Sequence, residues 1–288
     1  MTARKPTHLA ASVRQRLLNR ARAEGRPFQE LATRFAMERF LFRLGRSPHA
    51  ERFVLKGGLM TLTWAGEHAR VTRDIDLLGW GVNSVEAVTQ RLHDVLAVDA
   101  DDGVVFDRAS LAGSQITVES SYVGVRVTFA ADLGGMRLKM QVDVGFGDAI
   151  VPAPDWVDYP ELLDLGAPRV LGYPPEATLA EKLHAIVDLQ LMNSRMKDYY
   201  DLWTAARVGN TTPESLGRAV RHTFATRGTP VPVELPVGLT EVFCADPSKL
   251  AQWDGFVRKS MLEAPSLAEV VRVAATLATT AFDEARKV

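Results

Sequence analysis

Phe53-Val54-Leu55-Lys56-Gly57-Gly58 and, after fifteen intervening residues, Asp74-Ile75-Asp76-Leu77-Leu78-Gly79 are the stretches whose reading decides the fold. Phe53–Leu55 reads as a short strand running into the glycine pair, with an apolar helix to Trp64 behind it. Ile75-Asp76-Leu77-Leu78 reads as a second strand, ended by Gly79. Alternate side chains of a strand share a face, so Asp74 and Asp76 are expected to point the same way with Ile75 buried behind them. Two carboxylates that close repel each other, and a fold tolerates them best with a cation between. Magnesium takes oxygen ligands and is commonly held by one or two carboxylates plus substrate phosphates. Thr72 has the same parity, so its hydroxyl is expected to face the metal pocket and reach a phosphate oxygen; the alternative is a β-branched residue that merely suits a strand.

Outward from this centre, Val123 to Val144 is the clearest strand pair. Val123, Val125, Val127 and Phe129 alternate on one arm, and Leu138, Met140, Val142 and Val144 on the other, with a turn at Asp132–Gly135. Asp143 has the parity opposite to the apolar stripe and is the candidate third carboxylate. Three such groups suit a two-metal displacement, one ion on a leaving triphosphate and one on the attacking hydroxyl. A strand entering Gly57-Gly58 and then a helix leaves backbone N–H groups for phosphate oxygens.

The flanks read as helices. Leu9, Val13, Leu17 and Ala21 mark one, begun by Thr7 and stopped near Gly25; Phe28 to about Leu44 marks a second. Val85–Val98 is helical, the proline- and aspartate-rich run from Asp148 to Pro175 reads as a long connection, and helices follow at about 176–191 and 195–207. Thr212-Pro213 starts another, the prolines at 230, 232 and 236 force an extended linker, and Ser266 with Glu269 caps the last. The expected fold class is α+β: a basic helical leader (1–52), a mixed-sheet core (53–150) and a helical C-terminal region (151–288).

Net charge is −1, but residues 1–52 hold 12 Lys+Arg against 4 Asp+Glu. Such a lobe attracts phosphate backbones, unless its arginines are simply the solvated faces of two helices. The single cysteine, Cys244, excludes an intrachain disulfide. The six histidines show no metal-ligand spacing, and the chain has neither a phosphate-binding Gly-x-x-x-x-Gly-Lys loop nor a Gly-x-Ser-x-Gly elbow. The five tryptophans are scattered and read as packing anchors. Residues 1–5 lead into charged sequence without a signal-peptide apolar core, and Val273–Phe282 falls short of the roughly 20 residues that span a bilayer. The expectation is a cytoplasmic protein with no membrane partner.

Phe53-Val54-Leu55-Lys56-Gly57-Gly58 and Arg70-Val71-Thr72-Arg73-Asp74-Ile75-Asp76-Leu77 resemble motifs of the AbiEii/AbiGii nucleotidyltransferase toxins. Ala180-Glu181-Lys182-Leu183-His184-Ala185 and Arg195-Met196-Lys197-Asp198-Tyr199-Tyr200-Asp201-Leu202 resemble that family's later motifs, in the same order. The resemblance implies a polymerase β-like fold and transfer of NMP from an NTP to a hydroxyl, with release of pyrophosphate. It further implies a toxin with a cognate antitoxin, Mg²⁺ as cofactor, and an RNA acceptor, with transfer RNA the preferred one. Carried over, Asp74 and Asp76 are metal ligands, Lys182 contacts the triphosphate and Asp198 holds Lys182. Many polymerase β-like enzymes have Gly-Ser where this chain has Gly57-Gly58, and the gap to Asp74 is somewhat long. Two other readings stay open: a small-molecule nucleotidyltransferase of the antibiotic-modifying kind, and a non-catalytic protein that keeps the fold to bind nucleotide or a partner. From the residues alone, Lys182 could also be a solvated lysine paired with a local acid, and Lys197 could pair with Asp201 along their helix.

Overall fold

A computed structural model describes residues 8–118, 122–147 and 150–287. The chain forms two compact units. The first takes the chain up to Thr63, Thr72–Gly147 and Trp156–Gly172; the second takes Trp64–Val71, a short piece ending at Asp155, and everything from Tyr173 onward. Residues 8–52 are therefore part of the first unit, and residues 156–172 return to it from beyond position 150.

The first unit is built on a mixed seven-stranded sheet in the order β3-β4-β5-β2-β1-β7-β6. Its strands are β1 (Phe53–Lys56), β2 (Ile75–Gly79), β3 (Val104–Val118), β4 (Tyr122–Leu133), β5 (Met136–Gly145), β6 (Asp155–Asp158) and β7 (Arg169–Gly172). β2 pairs antiparallel with β1 and parallel with β5, while β3, β4 and β5 form an antiparallel meander. The expected hairpin is present, and Val125, Val127, Phe129, Leu138, Met140, Val142 and Val144 are all buried. Thr7 and the side chain of Val123, both used in the sequence reading, lie outside the described residues.

Helices α1 (His8–Ala23), α2 (Phe28–Arg46) and α4 (Val85–Ala97) belong to this unit. Leu31, Phe35, Phe40, Leu41 and Leu44 of α2 are buried, and Phe40, Phe106 and Phe129 meet with ring centroids 5.7–6.5 Å apart. Gly45 lets α2 lie directly on the β7 backbone: a Cβ there would strike the Arg169 carbonyl oxygen. Burying aromatic groups of this size is the main stabilising term of the unit, at roughly 1.5–3 kcal/mol for each large side chain.

The leader arginines are largely tied into this unit. Arg20 donates to the Leu162 carbonyl at 2.6 Å, Arg39 to the Gly166 carbonyl at 2.7 Å, and Arg14 to the Gly134 carbonyl at 3.4 Å. Arg43 is buried and forks onto Asp102 at 2.6 and 3.1 Å. Part of the +8 charge thus holds loops of the core in place.

The second unit is helical. It consists of α5 (Pro175–Leu189), α6 (Met196–Val208), α7 (Pro213–Thr226), α8 (Glu241–Cys244), α9 (Pro247–Ser260) and α10 (Leu267–Arg286). Leu183, Ile186, Tyr199, Leu202, Val220, Phe224, Val270 and Phe282 share its core, with Trp64, Trp203, Trp253 and Cys244 packed in or against it. Thr212 opens α7 with a reciprocal capping box, and Ser266 opens α10 by accepting from the Glu269 N–H. The tryptophan expectation fails at Trp80, which is 40% exposed just past the end of β2. Among the described residues no helix is long and apolar enough to cross a membrane.

Candidate active site

The register of four neighbouring strands sets the chemistry of the first unit. Lys56 of β1 lies opposite Asp76 of β2, Asp76 opposite Asp143 of β5, and Asp143 opposite Arg126 of β4. In-register neighbours project from the same face of a sheet, so these four form one charged rung, cation–anion–anion–cation. The adjacent rung, Leu55, Leu77, Val144 and Val125, points the other way and is buried. The apolar rung fixes the register, because a slip of one residue would bury the charges.

Asp76 is half-buried on β2, Ile75 is fully buried, and Asp74 is exposed one residue before the strand begins. Gly57 sits against Asp76 with φ +70°; a Cβ in its place would collide with the carboxylate, whose Cβ and Cγ lie 2.9 Å away. Only glycine fits this position sterically and conformationally. The hard oxygen donors of Asp74 and Asp76, two residues apart at the head of β2, fit a magnesium ion by their chemistry. Asp143 is engaged differently. Arg126 holds it bidentately, Nε to Oδ1 at 2.8 Å and Nη2 to Oδ2 at 2.7 Å, and Gln141 Nε2 donates to Oδ2 at 3.2 Å. Those bonds raise the pKa of Arg126, with the charges of Asp143, Asp74 and Asp76 adding to the effect against desolvation. Among the described residues no three His, Cys, Asp or Glu side chains converge as a ligand set.

Thr72 does not lie on a strand. β2 starts at Ile75, and the Thr72 hydroxyl donates to the Asp74 carbonyl at 3.4 Å within the preceding loop. The parity that placed it beside the carboxylates therefore does not apply. Gly58 is the second residue of α3 (Gly57–Ala65), and Thr61 donates to the Gly57 carbonyl at 3.2 Å.

In the second unit, α5 and α6 assemble a buried ionic cluster. Lys182 Nζ lies 2.7 Å from Asp198 Oδ1 and 2.8 Å from Asp201 Oδ2. Arg70 Nε donates to both Asp201 oxygens at 3.1 and 3.3 Å, and Arg195 Nε lies 2.6 Å from Asp198 Oδ2. Asp198 and Asp201 stand three apart on α6, so they share a face and converge on one ammonium. Burial opposes the charge of Lys182, but the carboxylates of Asp198 and Asp201 outweigh it and hold its pKa above the ordinary lysine value. Burial likewise disfavours ionised Asp198, yet Lys182 and Arg195 pull its pKa below the usual range. Three cations, Lys182, Arg70 and Arg195, thus converge on the two carboxylates.

The sequence reading gave no role to Arg126, and quoted Arg70 and Arg195 only as motif letters. Arg126 could have been found: pairing Leu133 with Met136 across the turn and counting back brings 126 opposite 143.

The protein from Helicobacter pylori called JHP933 has a crystal structure similar to this chain at TM-score 0.50 and 15% identity, covering 90% of this chain and 94% of that one. A second H. pylori structure, described as a candidate nucleotidyltransferase, matches at TM-score 0.50 and 16% identity, covering 90% and 97%. At these identities the likeness shows the fold alone. Comparison with curated proteins gives no match. The family described as "Nucleotidyl transferase AbiEii toxin, Type IV TA system" matches residues 39–287, which takes in both the charged rung and the Lys182 cluster. The chain belongs to the AbiEii nucleotidyl transferase toxin family of type IV toxin–antitoxin systems.

Proposed function

We propose that this chain transfers a nucleoside monophosphate from an NTP to a hydroxyl of RNA, with the acceptor end of transfer RNA as the preferred acceptor, and releases pyrophosphate. The observation that carries the reading is the rung itself: Asp76 and Asp143 adjacent in register, Asp74 two residues upstream, and Gly57 making room for the Asp76 carboxylate. Asp74 and Asp76 would hold Mg²⁺, which when bound neutralises phosphate charge and lowers the cost of ionising the attacking hydroxyl. The residues of the chain orient that chemistry. The apolar rung behind the carboxylates fixes their spacing, and Gly57 lets the Asp76 carboxylate lie directly against the β1–α3 turn, a position any other residue would contest. The cationic cluster around Lys182 suits a phosphate group, with Asp198 and Asp201 holding the lysine ammonium in one place. The family description supports a toxin with a cognate antitoxin.

The RNA part of the reading rests on what the motif resemblance implies more than on the leader, because Arg20, Arg39 and Arg43 are engaged within the first unit. Incubation with each labelled NTP, Mg²⁺ and total RNA tests it. Label is expected in a tRNA-sized band for one preferred base. Label appearing only in a small molecule would support an antibiotic-modifying activity instead.

A further inference from the structure

Arg126 stands on the acidic face, and the proposed reaction gives it no task. Its guanidinium grips Asp143 through two parallel bonds of 2.8 and 2.7 Å, and Gln141 adds a third donor at 3.2 Å. Both oxygens of Asp143 are thereby directed at donors of its own sheet. The side chain of Arg126 is 41% exposed and that of Asp143 17%, so the cation lies on the solvent side of the carboxylate. Its electrostatic partners are Asp143, Asp74 and Asp76, all three carboxylates of the face. A planar guanidinium is suited to such bidentate pairing, and the bonds it makes to a carboxylate are the ones it would make to a phosphate.

We propose that Arg126 is the resident counter-cation of the acidic face: it holds Asp143 while no divalent ion is bound, and an ion entering on Asp74 and Asp76 takes Asp143 over from it. The inference rests on the metal reading of Asp74 and Asp76. Arg126 and Gln141 together fill three of the roughly four lone-pair sites of the Asp143 carboxylate, so a divalent ion that takes more than the remaining one competes with the guanidinium. The apparent affinity for metal is then reduced by the fraction of molecules in which Asp143 is free. Displaced from Asp143, the guanidinium is left with its charge and fork geometry available to a substrate phosphate. A purely architectural ion pair predicts none of this competition.

The test is a Mn²⁺ titration of the full chain without nucleotide, read from the electron paramagnetic resonance signal of free Mn²⁺. Arg126→Gln is expected to bind Mn²⁺ about tenfold more tightly than wild type, the gain expected if Asp143 is free in roughly a tenth of molecules. Adding Asp143→Asn to that variant should remove the gain, since the two residues act as a pair. Arg126→Lys, which keeps a cation but not the fork, should fall between wild type and Arg126→Gln and guards against a folding defect in the latter. The melting temperature of Arg126→Gln should lie below wild type without metal and rise further on Mn²⁺ addition. Equal or weaker Mn²⁺ binding by both Arg126 variants overturns the inference. Absence of saturable Mn²⁺ binding by wild type would instead overturn the metal reading of Asp74 and Asp76.

Discussion

Lys182 shows how much a single buried charge organises. It is 9% exposed and lies within 2.8 Å of two carboxylates, each of which also meets an arginine. Removing one partner from such a set leaves uncompensated charge in a desolvated place, at a cost of about 3–5 kcal/mol. Lys182→Ala is therefore expected to lower the melting temperature strongly as well as abolish transfer, whereas Lys197→Ala, at an exposed position, should change stability by less than about 1 kcal/mol. Thermal melts of both variants check this; equal, small shifts would mean that Lys182 is not the keystone of the cluster. The placement of Lys182 beside Asp198 came from the resemblance of the two motifs to the family and not from their spacing. Asp201 was offered only Lys197 as a partner because spacing along one helix is readable, whereas Lys182 and Arg70 reach it from other elements. Thr72 was misplaced because strand parity was extended past the point where β2 begins.

At the scale of elements, α2 carries a group that makes its packing sensitive to pH. Glu38 is fully buried, accepts the Leu162 N–H at 2.7 Å and lies 2.6 Å from Arg39, yet desolvation raises its pKa from 4.5 to about 7 against the lowering pull of Arg39. A carboxyl whose pKa is higher folded than unfolded contributes stability that is fully present below about pH 4.5 and declines as pH rises through 7. Glu38→Gln mimics the protonated form at every pH. The variant and wild type are expected to differ by a constant at pH 4.5, with the variant gaining on the order of 3 kcal/mol by pH 8. Denaturant melts at pH 4.5, 7 and 8 read this directly; a pH-independent difference would show that Glu38 ionises at its ordinary value. The helices and the β4–β5 hairpin were legible because their apolar periods are long and regular. β3 was missed because its fifteen residues are interrupted between Asp107 and Ala112, where Ser110 Oγ accepts the Ala130 N–H in place of a regular ladder bond. β6 and β7 are four residues each within the proline-rich stretch and leave too short a period to read.

For the molecule as a whole, composition was a poor guide to where charge acts. The leader was set apart by its +8 balance, but Arg20 and Arg43 are bonded to the loop at Leu162 and to Asp102. Charge reversal at Arg14, Arg16 and Arg20 is therefore expected to lower the melting temperature while leaving the salt dependence of RNA binding little changed; a slope that flattens markedly would restore the leader as an RNA contact. What a single sequence conveyed best was the pattern that had to persist along the chain: a glycine turn, an Asp-x-Asp strand and two later motifs in fixed order. What it hid were the partners that strand register and helix packing bring from far away, such as Arg126 for Asp143 and Arg70 for Asp201. The central claim is that Asp74 and Asp76 carry nucleotide transfer, and the most direct measurement is pyrophosphate release from NTP by wild type and by Asp76→Asn with Mg²⁺ and RNA present. Steady release by wild type, and a loss of more than about a thousandfold in a variant that melts at or above the wild-type temperature, is the expected result; release by Asp76→Asn at the wild-type rate would contradict it.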